Sequence, residues 1–222
     1  EKKQAVVSSL KRETKTVNPP KLYDLTTLQR EANRYYGFTA QQTLDLVQTL
    51  YEKKLLTYPR TDSQFITDDM EDTARQVISI VCRQFPLFSG VLVTPDIARV
   101  TDNSNVTDHH AILPTVQLEK QDVSALPQSE QKILNLVGMR LLCATGEKHT
   151  YAETQISLSC ESYTFKTKGK TVVQNGWKAI EELFKASLKT KEKDDPMKSL
   201  PEVHEGDVLD GVSASVTEHF TT

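Results

Sequence analysis

A phenol, a guanidinium and two hydroxyls fall within six residues of this chain, in Tyr58-Pro59-Arg60-Thr61-Asp62-Ser63. Proline denies the stretch a helix, so it must run extended or turn. In an extended segment alternate side chains share a side, which sets Tyr58 beside Arg60. A phenol is a weak nucleophile near neutral pH, because it titrates at about 10. A neighbouring cation favours the phenolate and also neutralises a phosphate. Tyr with Arg is therefore a pairing suited to phosphodiester transesterification. Such an attack keeps the bond energy in a phosphotyrosine, and resealing needs no ATP. Thr61 and Ser63 are placed to donate hydrogen bonds to neighbouring phosphates. The same six residues also make a serviceable turn, with Asp62 and Ser63 capping the next element. Taken alone, so short a motif does not separate the two readings.

A second group is Asp108-His109-His110-Ala111-Ile112-Leu113-Pro114-Thr115. Adjacent histidines suggest a metal, but neighbours point apart in an extended chain and no His or Cys lies at ligand spacing. Contact with a phosphate, or handling of a proton, suits one of these histidines better. The plain alternative is a loop histidine that caps backbone groups. The basic stretch Lys2, Lys3, Lys11, Arg12 and Lys15 could follow a nucleic-acid backbone, although solvated strand charges explain it as well. Trp177 and the Tyr35-Tyr36 pair could stack on bases, with core packing as the default.

The elements that would hold these groups follow from patterning. Residues 1–18 alternate as one or two strands and stop at Pro19-Pro20. Thr26-x-x-Gln29 has the form of a capping box for a helix reaching about Tyr36, with Gly37 as its C-terminal cap. Thr39-x-x-Gln42 repeats the signal, and the helix it opens puts Leu44, Val47, Tyr51 and Leu55 on one face. Two helices joined by so short a turn resemble a helix-turn-helix pair. A third helix is expected over 68–85, with Met70, Ala74, Val77, Val81 and Phe85 inward and Pro86 ending it. Residues 89–127 read as irregular, and another helix fits 128–145, stopped by Gly146. From Tyr151 the period becomes two, with Ala152, Thr154, Ile156 and Leu158 on one side. A hairpin is expected around Gly169, a mobile charged loop at 185–199, and a final strand at 208–219. The fold class is thus α+β: a β domain of residues 1–18 and 150–222, interrupted by a helical domain of residues 19–149.

The chain has 222 residues and a formal net charge of −3, which argues against a simple basic nucleic-acid-coating module. Its three cysteines, Cys82, Cys143 and Cys160, form no CxxC pair, which argues against a zinc site and a disulfide framework. They suit a reducing compartment, and no apolar run is long enough to span a bilayer. Without an initiator Met or an apolar leader, the chain reads as internal to a longer polypeptide.

In order, the stretch from Pro19 to Ala32, then YYGFTAQQTLDLVQTLYEKKLLTYPRTDS, then DHHAILPT, resembles the type IA DNA topoisomerases. The shared pattern falls at Pro20, Leu28-Gln29, Ala32, Gly37-Phe38, Thr43, Gln48, Leu50-Tyr51-Glu52 and Thr57 through Ser63, and it covers 19–115. Pro59 and the double histidine are more similar to the topoisomerase III members than to topoisomerase I. The resemblance implies that Tyr58 joins a DNA 5′-phosphate, that Arg60 positions and neutralises it, and that His109 contacts the phosphate network or an acidic partner. It makes Thr57, Thr61, Ser63, His110 and Thr115 the candidate DNA contacts. It implies a winged-helix or catabolite-activator-like tyrosine domain inserted in the β arch of a toroid. Mg²⁺ would belong to a Toprim domain whose sequence is absent here, so the chain itself is expected to bind no metal and to be idle alone, with Tyr58 exposed. Single-stranded DNA, the other domains of the same chain and a helicase are its implied partners, in the cytoplasm at the nucleoid. The rival class is a non-catalytic nucleic-acid-binding gate module. A generic winged-helix regulator would instead prefer duplex DNA at specific sites.

Overall fold

In the computed structural model, residues 4–188 and 200–213 are described. The fold is mixed α+β, with an open sheet and several helices. Its contacts divide into two units, one holding 4–16, 150–174 and 200–213, the other 17–149 and 175–188.

The first unit is a four-stranded sheet made of β1 (Gln4–Val17), β2 (His149–Cys160), β3 (Tyr163–Gln174) and β4 (Val208–Asp210). The spatial order is β3-β2-β1-β4, and both β1–β4 and β2–β3 are antiparallel. Ala152 and Ile156 are buried, as the alternation requires. The hairpin turn differs from the expectation at Gly169. It lies at Glu161-Ser162, between the partners Cys160 and Tyr163, with Glu161 at φ 52°. Gly169 is instead mid-strand, opposite Thr154. It lines a groove shared with Leu10, Arg12 and residues 200–204.

The second unit is helical. Helix α1 (Leu25–Tyr36) starts two residues earlier than the capping pattern suggests, because Asp24 Oδ1, not Thr26, accepts from Thr27 N at 2.6 Å. It ends at Gly37, whose left-handed φ of 69° lets its N–H reach Asn33 O. Helix α2 (Ala40–Glu52) opens with the expected reciprocal box between Thr39 and Gln42. Its buried face is Thr43, Val47 and Leu50, rotated from the predicted one, and Tyr51 is 39% exposed. Leu55 lies beyond the helix end, although it is buried. Helix α3 (Glu71–Gln84) buries Ala74, Val77 and Val81 as expected, while Met70 is only partly buried. Helix α4 (Gln128–Ala144) is the centre of this unit, buried almost all round from Ile133 to Ala144. The pattern reading contains no helix at 175–188, yet α5 (Lys178–Ser187) is there, burying Ile180 and Phe184. The rest of the expected 185–199 loop, and the final strand beyond 213, lie outside the described residues.

Two features hold α4 in place. Gly138 faces Phe85 so closely that a Cβ would stand 2.8 Å from its ring. Arg140, 8% exposed, donates to Glu31 of α1 and, at 3.3 Å, to the Tyr23 hydroxyl, which itself donates to Glu31. Its guanidinium lies 4.3 Å from the centre of the Tyr23 ring. Burial, reinforced by Glu31, raises the Tyr23 phenol well above its ordinary range, so it stays a neutral donor. Burial works against the charge of Arg140, but Tyr23 and Glu31 outweigh it and push its titration up. Among the described residues no helix is long and apolar enough to cross a membrane.

Arg140→Leu would leave the partly buried Glu31 carboxylate, at the edge of the core, without its cation. Denaturant unfolding is expected to show a loss of about 3–5 kcal/mol, with much of it recovered in the Glu31→Leu, Arg140→Leu double variant.

Candidate active site

The segment carrying Tyr58 leaves α2 through a tight reversal. Lys54 takes a φ of 61°, and the N–H groups of Leu55 and Leu56 both point to Leu50 O. Leu55 and Leu56 are buried and anchor the loop in the core. From there the chain runs beside the histidine segment. Leu56 bridges Pro114, Thr57 N donates to Leu113 O at 2.9 Å, and Thr115 N donates to Leu55 O at 3.0 Å. Farther along, Ala111 N donates to Phe65 O at 2.9 Å and Leu25 N donates to Thr61 O at 3.1 Å. The two motifs, some fifty positions apart in sequence, thus form one backbone-bonded unit attached to the start of α1.

The hydroxyls complete this unit from inside. Thr57 Oγ1 donates to Ala111 O and accepts from Leu113 N. Thr61 Oγ1 donates to His109 O at 3.0 Å and accepts from Ser63 N at 3.1 Å. Ser63 Oγ donates to Asn105 O at 2.8 Å, and Thr115 Oγ1 donates to Lys54 O. Thr61 and Ser63 are 8% and 5% exposed. All four hydroxyls therefore have protein partners, and their placement is that of internal ties. His110 is half-buried, with Nδ1 2.8 Å from Ala111 O, to which it donates when that nitrogen is protonated.

What remains outward is the chemistry-bearing set. Pro59, Thr61 and Ser63 are buried, while Arg60 and Asp62 between them are exposed, so the segment alternates as an extended chain does. The Tyr58 ring is half-buried between two others. Tyr51 meets it edge-on at 5.5 Å, and the exposed His109 lies tilted over it at 4.2 Å between ring centres. Arg60 Nη1 donates to Gln48 Oε1 at 3.4 Å, a long contact. Gln48 and Tyr51 are one helical turn apart on α2, so Tyr58 and Arg60 rest on the same stripe of that helix. The Tyr58 hydroxyl has no hydrogen-bond partner among the described residues. The arrangement can offer a phenol oxygen to a phosphorus while a guanidinium and an imidazole approach the same phosphate.

The sequence pattern puts Tyr51 on the inward face, and it includes Gln48 in the family resemblance without its contact to Arg60. Their signal is the i, i+3 spacing on the flank of α2 beside its buried face of Thr43, Val47 and Leu50. Among the described residues no cluster of three or more His, Cys, Asp or Glu could hold a metal ion. Tyr58 is faced by the rings of Tyr51 and His109, whereas Mg²⁺ requires several oxygen donors in octahedral array. The residues present do not fit that ion.

The sequence profile of the DNA topoisomerase family matches residues 1–222. DNA topoisomerase 3 of Bacillus subtilis is 37% identical over 212 residues, covering 93% of this chain and 29% of that protein. DNA topoisomerase 3 of Bacillus licheniformis is 36% identical, covering 99% of this chain and 30% of that protein. In structure the chain resembles full-length topoisomerase I of Thermotoga maritima, with a TM-score of 0.66 and 24% identity over 94% of this chain and 33% of that one, a likeness of fold. The chain therefore belongs to the DNA topoisomerase family, in its type IA, topoisomerase III-like branch. It spans about three-tenths of the length of these curated relatives.

Thr61→Val keeps the volume but leaves the His109 carbonyl and the Ser63 N–H without their partner. Unfolding is expected to show a loss of about 1–3 kcal/mol, whereas Thr61→Ser stays near the parent protein.

Proposed function

We propose that this chain supplies the nucleophile and part of the gate of a type IA topoisomerase that breaks and reseals single-stranded DNA. Tyr58 is the nucleophile, and the observation that carries this is its ring, held between Tyr51 and His109 with Arg60 on the same helix stripe. Tyr58 Oη bonds to the scissile phosphorus and the bond from phosphorus to the 3′ oxygen breaks. The proton lost by the phenol is matched by one gained by that 3′ oxygen. The reverse sequence reseals the strand, so no bond energy is lost and no ATP is needed. Arg60 and His109 offset the negative charge on the non-bridging oxygens of the pentacovalent phosphorus, where it is greatest in the transition state. Thr57, Thr61, Ser63 and Thr115 act by fixing the loop, and His110 by holding its neighbour's backbone.

In this reading residues 19–149, joined by 175–188 of the same helical unit, are the tyrosine domain, of catabolite-activator type, and the sheet residues 4–16, 150–174 and 200–213 belong to the arch of a toroid whose opening lets another strand pass. Mg²⁺ belongs to parts of the enzyme outside this chain, and the chain on its own neither cleaves nor relaxes DNA. Relaxation of supercoiled DNA by the isolated chain would overturn that assignment.

The decisive test uses the full-length protein with single-stranded DNA labelled at one end or the other and trapped by denaturant. The 3′-end-labelled piece is expected to become protein-linked, and Tyr58→Phe to abolish the adduct. No adduct, or an adduct that persists in Tyr58→Phe, would turn the reading towards a non-catalytic DNA-binding gate.

A further inference from the structure

The sheet has two dissimilar faces. On one, Leu10, Arg12, Thr154, Gly169 and Thr171 lie under residues 200–204. The other follows from the register. Glu153 is opposite Lys170, Gln155 opposite Lys168 and Ser157 opposite Lys166, and directly opposed residues share a face. Lys15 of β1 joins them, because its amine reaches Glu153 at 2.6 Å. Alternation with Leu10 and Arg12 puts Lys11 and Glu13 there too. Five lysines against two glutamates leave this face three charges positive, in a chain whose net charge is −3.

Lys166, Lys168 and Lys170 are exposed and have no ion-pair partner among the described residues. The carboxylate at their centre, Glu153, is already committed to Lys15 and Gln155. The row stands on the edge strand at about 6.8 Å per pair of residues, which is a flat line of point charges. We propose that this face binds duplex DNA by its phosphates. It has lysines and no arginine fork for reading base edges. Its one aromatic ring, Tyr151, already has the Lys170 amine 5.0 Å from its centre, so it is no open platform for an unpaired base. A duplex keeps its bases stacked inside and carries the denser line of charge, about one per 1.7 Å of axis. The surface goes beyond the tyrosine chemistry and does not depend on it.

The test is equilibrium binding of an intact duplex to the full-length protein across a salt series, a measurement with no cleavage step, so its outcome is independent of the role of Tyr58. In the triple variant Lys166→Gln, Lys168→Gln, Lys170→Gln, duplex affinity is expected to fall about tenfold or more at moderate salt, and the slope of log K against log[salt] to shrink by about 2–3. The triple Lys→Arg variant keeps both. Lys120→Gln with Lys148→Gln, two exposed charges off this face, leaves the slope unchanged. The same slope in the Gln variant as in the parent overturns the proposal. If that variant also self-associates, the lysines serve only to keep the β3 edge from pairing with another sheet. A loss confined to single-stranded oligonucleotides equally overturns the duplex assignment.

Discussion

A guanidinium almost shut off from water carries a desolvation penalty of several kcal/mol, which attraction must offset in full. Arg140 is met by a carboxylate and a phenol from two other parts of the chain, Glu31 on α1 and Tyr23 in the segment before it, while its Nε is buried without a hydrogen-bond partner. The arrangement does more than join α4 to α1. The residue whose side chain completes the buried network also offers its carbonyl to Ile112 N at 2.8 Å, within the histidine segment. The position of the imidazole that lies over Tyr58 is therefore tied to a charge balance in the middle of the core.

Around the tyrosine the bonding is of another kind. The ties are neutral, short in reach and directed at backbone: Thr57 to Ala111 and Leu113, Thr61 to His109, Ser63 to Asn105. Hydroxyls suit this work because each can donate and accept at once, and so closes two backbone groups in a confined space. They also leave the outward side chains unencumbered. Tyr58 is steadied by the rings of Tyr51 and His109, and Arg60 by a long amide contact on α2. The loop's path is fixed by backbone ties, while the side chains of Arg60 and Asp62 stay on its outer side.

Much of this was legible in the chain because it depends on neighbours. The Thr39–Gln42 box, the end of α1 at Gly37 and the inward row of α3 are all settled within one or two turns. The misreadings share a non-local origin. The start of α1 moved to Asp24 because Tyr23 is already fixed as an extended residue by its bridge to Ile112. Tyr51 was placed inside because it is large and apolar, and what draws it outward is Tyr58, seven positions on and past a reversal. Gly169 suggests a turn to any local reading, yet it is paired mid-strand against Thr154 under residues 200–204. The Arg140–Glu31–Tyr23 network, spanning more than a hundred positions, leaves no periodic trace at all.

Gly138 bears on how this chain can drift over evolutionary time. The space a methyl group would need at that position is already filled by the Phe85 ring and Val81. Both are fully buried, so the ring has nowhere to swing. Positions 138 and 85 are therefore not independent letters. A bulkier residue can enter at 138 only in a lineage that has first accepted a smaller one at 85, and that intermediate carries a cavity in the core. The barrier to change at this crossing is a property of the path between sequences and not of either endpoint, which predicts paired substitution, or none, wherever the fold is kept.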